Sequence, residues 1–167
     1  MATTTKVPVE EYLHTSYQPD VEYVDGEIQE RNVGELEHAR MIKAVLRWLL
    51  QHEMAWEIEA LSDVRVQVSP TRFRIPDICV SAAATPDRKI VTTPPLLVVE
   101  VLSPEDRIDR YHQRIADYRH MGIQGIWVLD PETKRGWDCS SGNWIEGTLF
   151  RLPESPIYLD LNALAAQ

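Results

Sequence analysis

No apolar run in these 167 residues approaches the ~20 consecutive residues that a membrane-spanning helix requires, and the N-terminal MATTTKVPVEEYL holds no stretch of signal-peptide length. The expectation is a cytoplasmic protein with no membrane partner. Cysteine is scarce: Cys79 and Cys139 lie in different segments without C-x-x-C spacing, which argues against a zinc ribbon or a redox dithiol and fits a reduced compartment. Glycine is sparse too, seven against eleven prolines, and no low-complexity tract or internal repeat is visible, so fibrous and linker-like classes are set aside. Positive charge is the last deficit. With 17 Lys and Arg against 26 Asp and Glu, the formal net charge of −9 argues against nonspecific coating of nucleic acid, yet leaves room for an enzyme that gathers carboxylates around a metal.

What is present suits one folded domain over residues 1–167, since the length and the 44% apolar content support one substantial core but not two. Pro8 at a first helical position followed by EEYL predicts a short helix over 8–14. In VEYVDGEIQE, Asp25-Gly26 separates two strand-like runs and predicts a hairpin. Ile42, Val45, Leu46 and Leu49 recur at helical spacing within a helix from about 35 to 51, with Glu35 and His38 on the same face. Those two residues either serve the helix start locally or point at a site beneath it.

Between Trp56 and Ala82 the pattern is strand-like, with VRVQVS and FRIPDICVS predicting two antiparallel strands around Ser69-Pro70-Thr71. LLVVEVLS fills both faces with apolar residues and reads as a central strand covered on both sides. A helix introduced by Pro104, Glu105 and Asp106 runs to Met121 with Ile108, Tyr111, Ile115 and Tyr118 in one stripe, and Gly122 stops it. GIWVLDP then supplies a second buried strand, and the sequence strand, helix, strand marks a parallel crossover. TKRGWDCS and NWIEGTLFRL flank Ser140-Ser141-Gly142 as a terminal hairpin, and SPIYLDLNALAAQ gives a last strand or short helix. The fold class is α/β, a mixed central sheet flanked by helices.

Glu100 is the most informative residue, because a charge inside LLVVEVLS needs a partner, a metal or a proton. Asp77, after Pro76 and among Ile75, Ile78 and Val80, poses the same question. If the two strands are neighbours, both carboxylates can share a hard cation such as Mg²⁺; the alternative is an ion pair with an arginine that serves architecture alone. On the helical wheel Arg114 lies at the edge of the Tyr111, Ile115 and Tyr118 stripe, whereas Gln113 points the other way. Arg114 either reaches the sheet or snorkels at the surface. Arg107, Arg110 and Arg119 either line a phosphate-binding rim or form the solvated face of that helix, and the tryptophans read as core or hairpin packing.

Pro76-Asp77, followed about twenty residues later by Glu100 in an apolar strand, resembles the PD-(D/E)XK nuclease pattern. VEYVDGEI, the helix near His38, RIPDICV, LLVVEVLSPEDR, the Tyr118 to Gly122 segment and IWVLDP together are similar to the Uma2, or DUF820, family of restriction endonuclease-like proteins. The resemblance implies a restriction endonuclease-like αβββαβ core over residues 35–131, with an N-terminal helix and hairpin in 1–34 and a C-terminal hairpin and tail in 132–167. It also implies a DNA endonuclease that uses Mg²⁺, with Mn²⁺ able to substitute, held by Asp77 and Glu100; a homodimer is expected because cutting both strands of a duplex needs two sites. The motif's lysine position is Leu102 here, and the resemblance assigns the cationic role to Arg114 on the next helix. Glu22 would be an outer ligand or orient water, against the plain reading of an exposed hairpin carboxylate, and His38 would transfer a proton or contact phosphate. An arginine cannot act as a general base. The competing reading is therefore a nuclease-like fold without catalysis that serves as a nucleic-acid-binding or assembly module.

Overall fold

The computed structural model describes residues 5–31, 34–104 and 108–165. A short helix α1 (Val9–His14) leads into β1 (Val21–Val24) and β2 (Glu27–Glu30), joined by Asp25 and Gly26 with φ of 51° and 97°. Two positive φ values are the mark of the hairpin turn that matches strand twist, which is why Asp-Gly stands there. Pro8 caps α1 rather than opening it. Helix α2 (Leu36–Trp56) outlasts the predicted span, because 52–56 contain no breaker and the helix ends only where Glu57 turns left-handed at φ 54°.

After β3 (Ile58–Ser62) come β4 (Val66–Ser69), β5 (Arg72–Arg74) and β6 (Ile78–Ala82). FRIPDICVS is therefore two strands, not one. Pro76 cannot donate to a ladder, and at Ile75-Pro76-Asp77 the chain leaves a four-stranded sheet of order β2-β1-β5-β4 and enters a six-stranded one. Asp77 thus sits in the bend between strands. Next follow β7 (Leu97–Val101), α3 (Ile108–Met121) and β8 (Gly125–Leu129), the parallel crossover expected from the sequence, with β7 paired antiparallel to β6 on its other side. The C-terminal hairpin β9 (Gly136–Asp138) and β10 (Ile145–Gly147) extends the same sheet to the order β10-β9-β8-β7-β6-β3. Strands β11 (Leu149–Arg151) and β12 (Tyr158–Asp160) pair separately before α4 (Leu161–Ala165), so the tail supplies both a strand and a helix. Glu105, Asp106 and Arg107 lie outside the described residues.

Strand alternation distributes the core. Leu97 and Val99 of β7, with Trp127 and Leu129 of β8, face α2 and α4, whereas Val98, Ile126 and Val128 face Tyr111, Ile115 and Tyr118 of α3. Glu100 shares the parity of Val98 and so faces α3, and Asp77 shares the parity of Cys79 on that same side. Ile108 departs from the expected stripe, standing 68% exposed at the start of α3. A third cluster packs Tyr12, Val21, Tyr23 and Phe73 between α1 and the smaller sheet.

Gly122 follows α3 at φ 93°, with open space where a side chain would sit, and the Ile123 N–H donates back to Tyr118 O. Gly122→Ala should therefore cost only the conformational penalty, about 1 kcal/mol, and lower the melting temperature by about 2–4 °C. A calorimetric scan showing no change would mean that the left-handed turn is not what ends the helix.

Candidate metal centre

The candidate site lies where the two sheets meet. Because β6 begins at Ile78, opposite Val99, the end of β7 runs past its neighbour, and Asp77 Oδ2 accepts the Val101 N–H at 2.8 Å in place of a ladder bond. On the other sheet Glu22 does the equivalent, its Oε1 accepting the Ile75 N–H at 2.8 Å. Each carboxylate therefore satisfies a backbone donor that the chain's change of sheet would have stranded. Glu22, Asp77 and Glu100 are 3%, 6% and 1% exposed. All three line one cavity of about 320 Å³, shared with His38, Arg114 and Arg31.

Arginines hold this charge in place. Arg114 reaches the sheet, donating from Nε and NH2 to Glu100 Oε1 at 3.1 and 2.8 Å and from NH2 to Ile75 O at 3.0 Å, with Glu22 Oε1 3.1 Å away. Tyr118 OH donates to the same Glu100 oxygen at 2.5 Å. Glu100 Oε2 takes no hydrogen bond among the described residues. Arg74, 2% exposed, donates from NH1 to Glu22 Oε2 at 3.0 Å and from Nε to Asp117 Oδ2 at 2.7 Å. Asp77 has weaker neighbours: His38 Nε2 and Arg31 NH2 each stand 3.4 Å from one of its oxygens.

The family model Uma2, described as "Putative restriction endonuclease", matches residues 9–156. The chain belongs to the Uma2 family. A search of curated proteins gave no match. Among solved structures, the fold is similar to a protein of DUF820 from Anabaena variabilis ATCC 29413 described as a "putative nuclease", at TM-score 0.82 and 18% identity over 96% of this chain and 98% of that one. At that identity the likeness speaks for the fold.

Of the residues singled out in the Uma2 sequence, Asp77, Glu100, Arg114, His38 and Glu22 meet at this cavity. Glu22 is buried, not an exposed hairpin carboxylate, because β1 lies inside its sheet between β2 and β5. Gln113 lines the cavity rather than pointing away, and so does Arg110, whereas Arg119 packs on Gly142 in the C-terminal hairpin. Glu35 is exposed at the start of α2 and does not line the cavity. Arg74, Asp117 and Arg31 were not singled out by sequence. For Arg74 a signal existed, since it stands between Phe73 and Ile75 as Glu100 stands between valines.

Hard oxygen donors suit Mg²⁺ or Mn²⁺, and Glu100 Oε2, which takes no hydrogen bond among the described residues, and the loosely held Asp77 Oδ1 are the oxygens that could serve one. Among the described residues no group of three or more His, Cys, Asp and Glu is arranged to hold a metal. An ion here would keep much of its water, as Mg²⁺ commonly does. No helix among the described residues is long and apolar enough to cross a membrane.

Burial pushes the Glu100 carboxyl up to about 7; Arg114 opposes this, while the negative charges of Asp77 and Glu22 reinforce it. Burial also works against the charges on Asp77 and Glu22. For Asp77, however, His38, the Val101 N–H and Arg114 prevail, and for Glu22 it is Arg114 and Arg74, so both stay below the usual carboxylate range. In the unfolded chain Glu100 ionises near 4.5, so its contribution to stability is complete below that pH and is lost as pH rises towards about 7. In metal-free urea titrations at pH 5 and pH 8, the stability of Glu100→Gln relative to the parent should rise by on the order of a few kcal/mol between the two. A difference that does not change with pH would show that Glu100 is already ionised at pH 5.

Proposed function

We propose that this protein is a divalent-metal-dependent nuclease that hydrolyses phosphodiester bonds in DNA, with Asp77 and Glu100 holding the ion. The observation that carries the reading is the convergence of two buried carboxylates on one cavity, one of them with an oxygen left free. Family membership supports it. A bound Mg²⁺ or Mn²⁺ would supply an activated water and charge stabilisation at the phosphoryl oxygen. The chain's own residues do the rest. Arg114 stays protonated at any working pH, so it cannot take a proton from water, but it can hold a phosphate oxygen and steady developing negative charge. Glu22 has both oxygens engaged by Arg114, Arg74 and Ile75, which makes it a positioning residue for Arg114. His38, beside Asp77, is the side chain suited to carry a proton near neutral pH. Cutting both strands of a duplex needs two such sites, which a homodimer would bring together.

One observation favours a second reading, a nuclease-like fold that binds nucleic acid or assembles with a partner without cutting. Arg114 already neutralises Glu100, Arg31 and His38 already attend Asp77, and among the described residues no lysine lines the cavity.

Incubation with supercoiled plasmid and Mg²⁺ or Mn²⁺ separates the two. The first reading predicts nicked and linear products, lost on chelation, with Asp77→Asn slowed on the order of 100-fold or more while its amide oxygen still accepts the Val101 N–H and the fold persists. Intact plasmid from folded protein, or an Asp77→Asn variant as active as the parent, contradicts it. Calorimetry showing no Mn²⁺ uptake would favour the binding module.

A further inference from the structure

One polar group at the cavity is buried, uncharged and unused. Ser103 lies two residues beyond β7, is 8% exposed and lines the same cavity as Glu100 and Arg114, yet its hydroxyl has no hydrogen-bond partner among the described residues. Native structures seldom leave a buried hydroxyl in that state, and a ligand is one of the few things that completes it. The surrounding carboxylates have not captured it: Glu22, Asp77 and Glu100 share the cavity and draw their donors from arginines, Tyr118, His38 and backbone N–H groups instead.

A second donor on the cavity wall is idle among the described residues. Arg114 commits Nε and NH2 to Glu100, Ile75 O and Glu22, which leaves NH1 without a partner among the described residues. Arg110, one helical turn earlier on α3, also lines the cavity and forms no ion pair among the described residues. The donor set lining the cavity is a hydroxyl, a guanidinium N–H and the positive charge of the exposed Arg110. This is a set for an oxyanion rather than a cation, since a neutral hydroxyl that shares a cavity with guanidinium groups is a poor metal ligand and a good phosphate ligand.

We propose that Ser103 Oγ, Arg114 NH1 and Arg110 form a phosphoryl-oxygen subsite next to the Asp77 and Glu100 carboxylates. The inference deepens the nuclease reading and rests on it for the identity of the ligand, the phosphate of a phosphodiester. Ser103 orients that phosphate and takes no part in proton transfer.

The test titrates inorganic phosphate into metal-free parent protein and Ser103→Ala, followed by amide chemical shifts, with Mn²⁺ titration, thermal melting and plasmid cleavage in parallel. Ser103→Ala should weaken phosphate binding on the order of tenfold, as expected for loss of a hydrogen bond to a charged group. Mn²⁺ affinity should not move. The melting temperature should be equal or higher, because removing an unpartnered hydroxyl strands nothing. Phosphate affinity equal in the two proteins, or no phosphate binding by the parent, overturns the subsite. A Ser103→Ala protein that melts well below the parent also overturns it, by showing that the hydroxyl serves the fold. Failure of the two proposals is distinguishable: phosphate binding that depends on Ser103 with intact plasmid removes the nuclease reading alone, and cleaved plasmid with Ser103-independent phosphate binding removes the subsite alone.

Discussion

A carboxylate keeps its charge in a dry interior only if cations stand close enough to replace the lost water, and Glu100, 1% exposed on an inner strand of the larger sheet, is bound by that requirement. Arg114 answers it but does not answer it for Glu100 alone. Its NH2 also lies against Glu22, Glu22 takes Arg74, and Arg74 takes Asp117, so alternating charges run from β7 through α3 and β1 to β5 and back to α3. The chain of ion pairs crosses from one sheet to the other at the point where Ile75-Pro76-Asp77 makes the same crossing. Most members keep a second partner if one is lost, but removing Arg114 would leave Glu100 buried with no ion-pair partner among the described residues, a loss of roughly 3–5 kcal/mol.

The network is also short of deeply buried positive charge. Glu22, Asp77, Glu100 and Asp117 are all buried carboxylates, whereas among the described residues Arg74 is the one guanidinium buried as deeply, with Arg114, Arg72, Arg31 and His38 contributing from the edge. The deficit falls on Glu100, whose carboxyl is the one pushed up towards neutrality. A divalent ion at the cavity would relieve it. In this account the strain that makes Glu100 reluctant to ionise and the capacity of the site to take a metal have the same origin.

Much of this was legible in the sequence wherever a local rule had one solution. Asp25-Gly26 gave its hairpin, and the apolar runs around Glu100 and Trp127 with the amphipathic α3 between them gave the parallel crossover. Glu100 stood out because both faces of its strand are apolar. Glu22 obeys the same rule within VEYV, but the adjacent turn suggested an exposed ribbon, and only pairing with β5 buries that strand. FRIPDICVS looked continuous because alternation persists across Pro76, and alternation carries no record of which sheet a strand joins. Arg74 and Asp117 were hidden for a related reason. Arg74 stands between apolar neighbours, but Asp117 reads as surface in isolation, and each is held in the interior by the other. Such pairs are visible once tertiary structure brings β5 against α3, since neither residue's neighbours in sequence announce its partner.

Whether Asp77 and Glu100 bind one ion between them decides what the buried charges are for. Crystals soaked with Mn²⁺ and measured for anomalous scattering test this most directly. The prediction is a single peak within coordination distance of Glu100 Oε2 and an Asp77 oxygen. A cavity with no peak there, and with Arg114 still bound to Glu100 at saturating Mn²⁺, would contradict it and leave the buried charges as architecture.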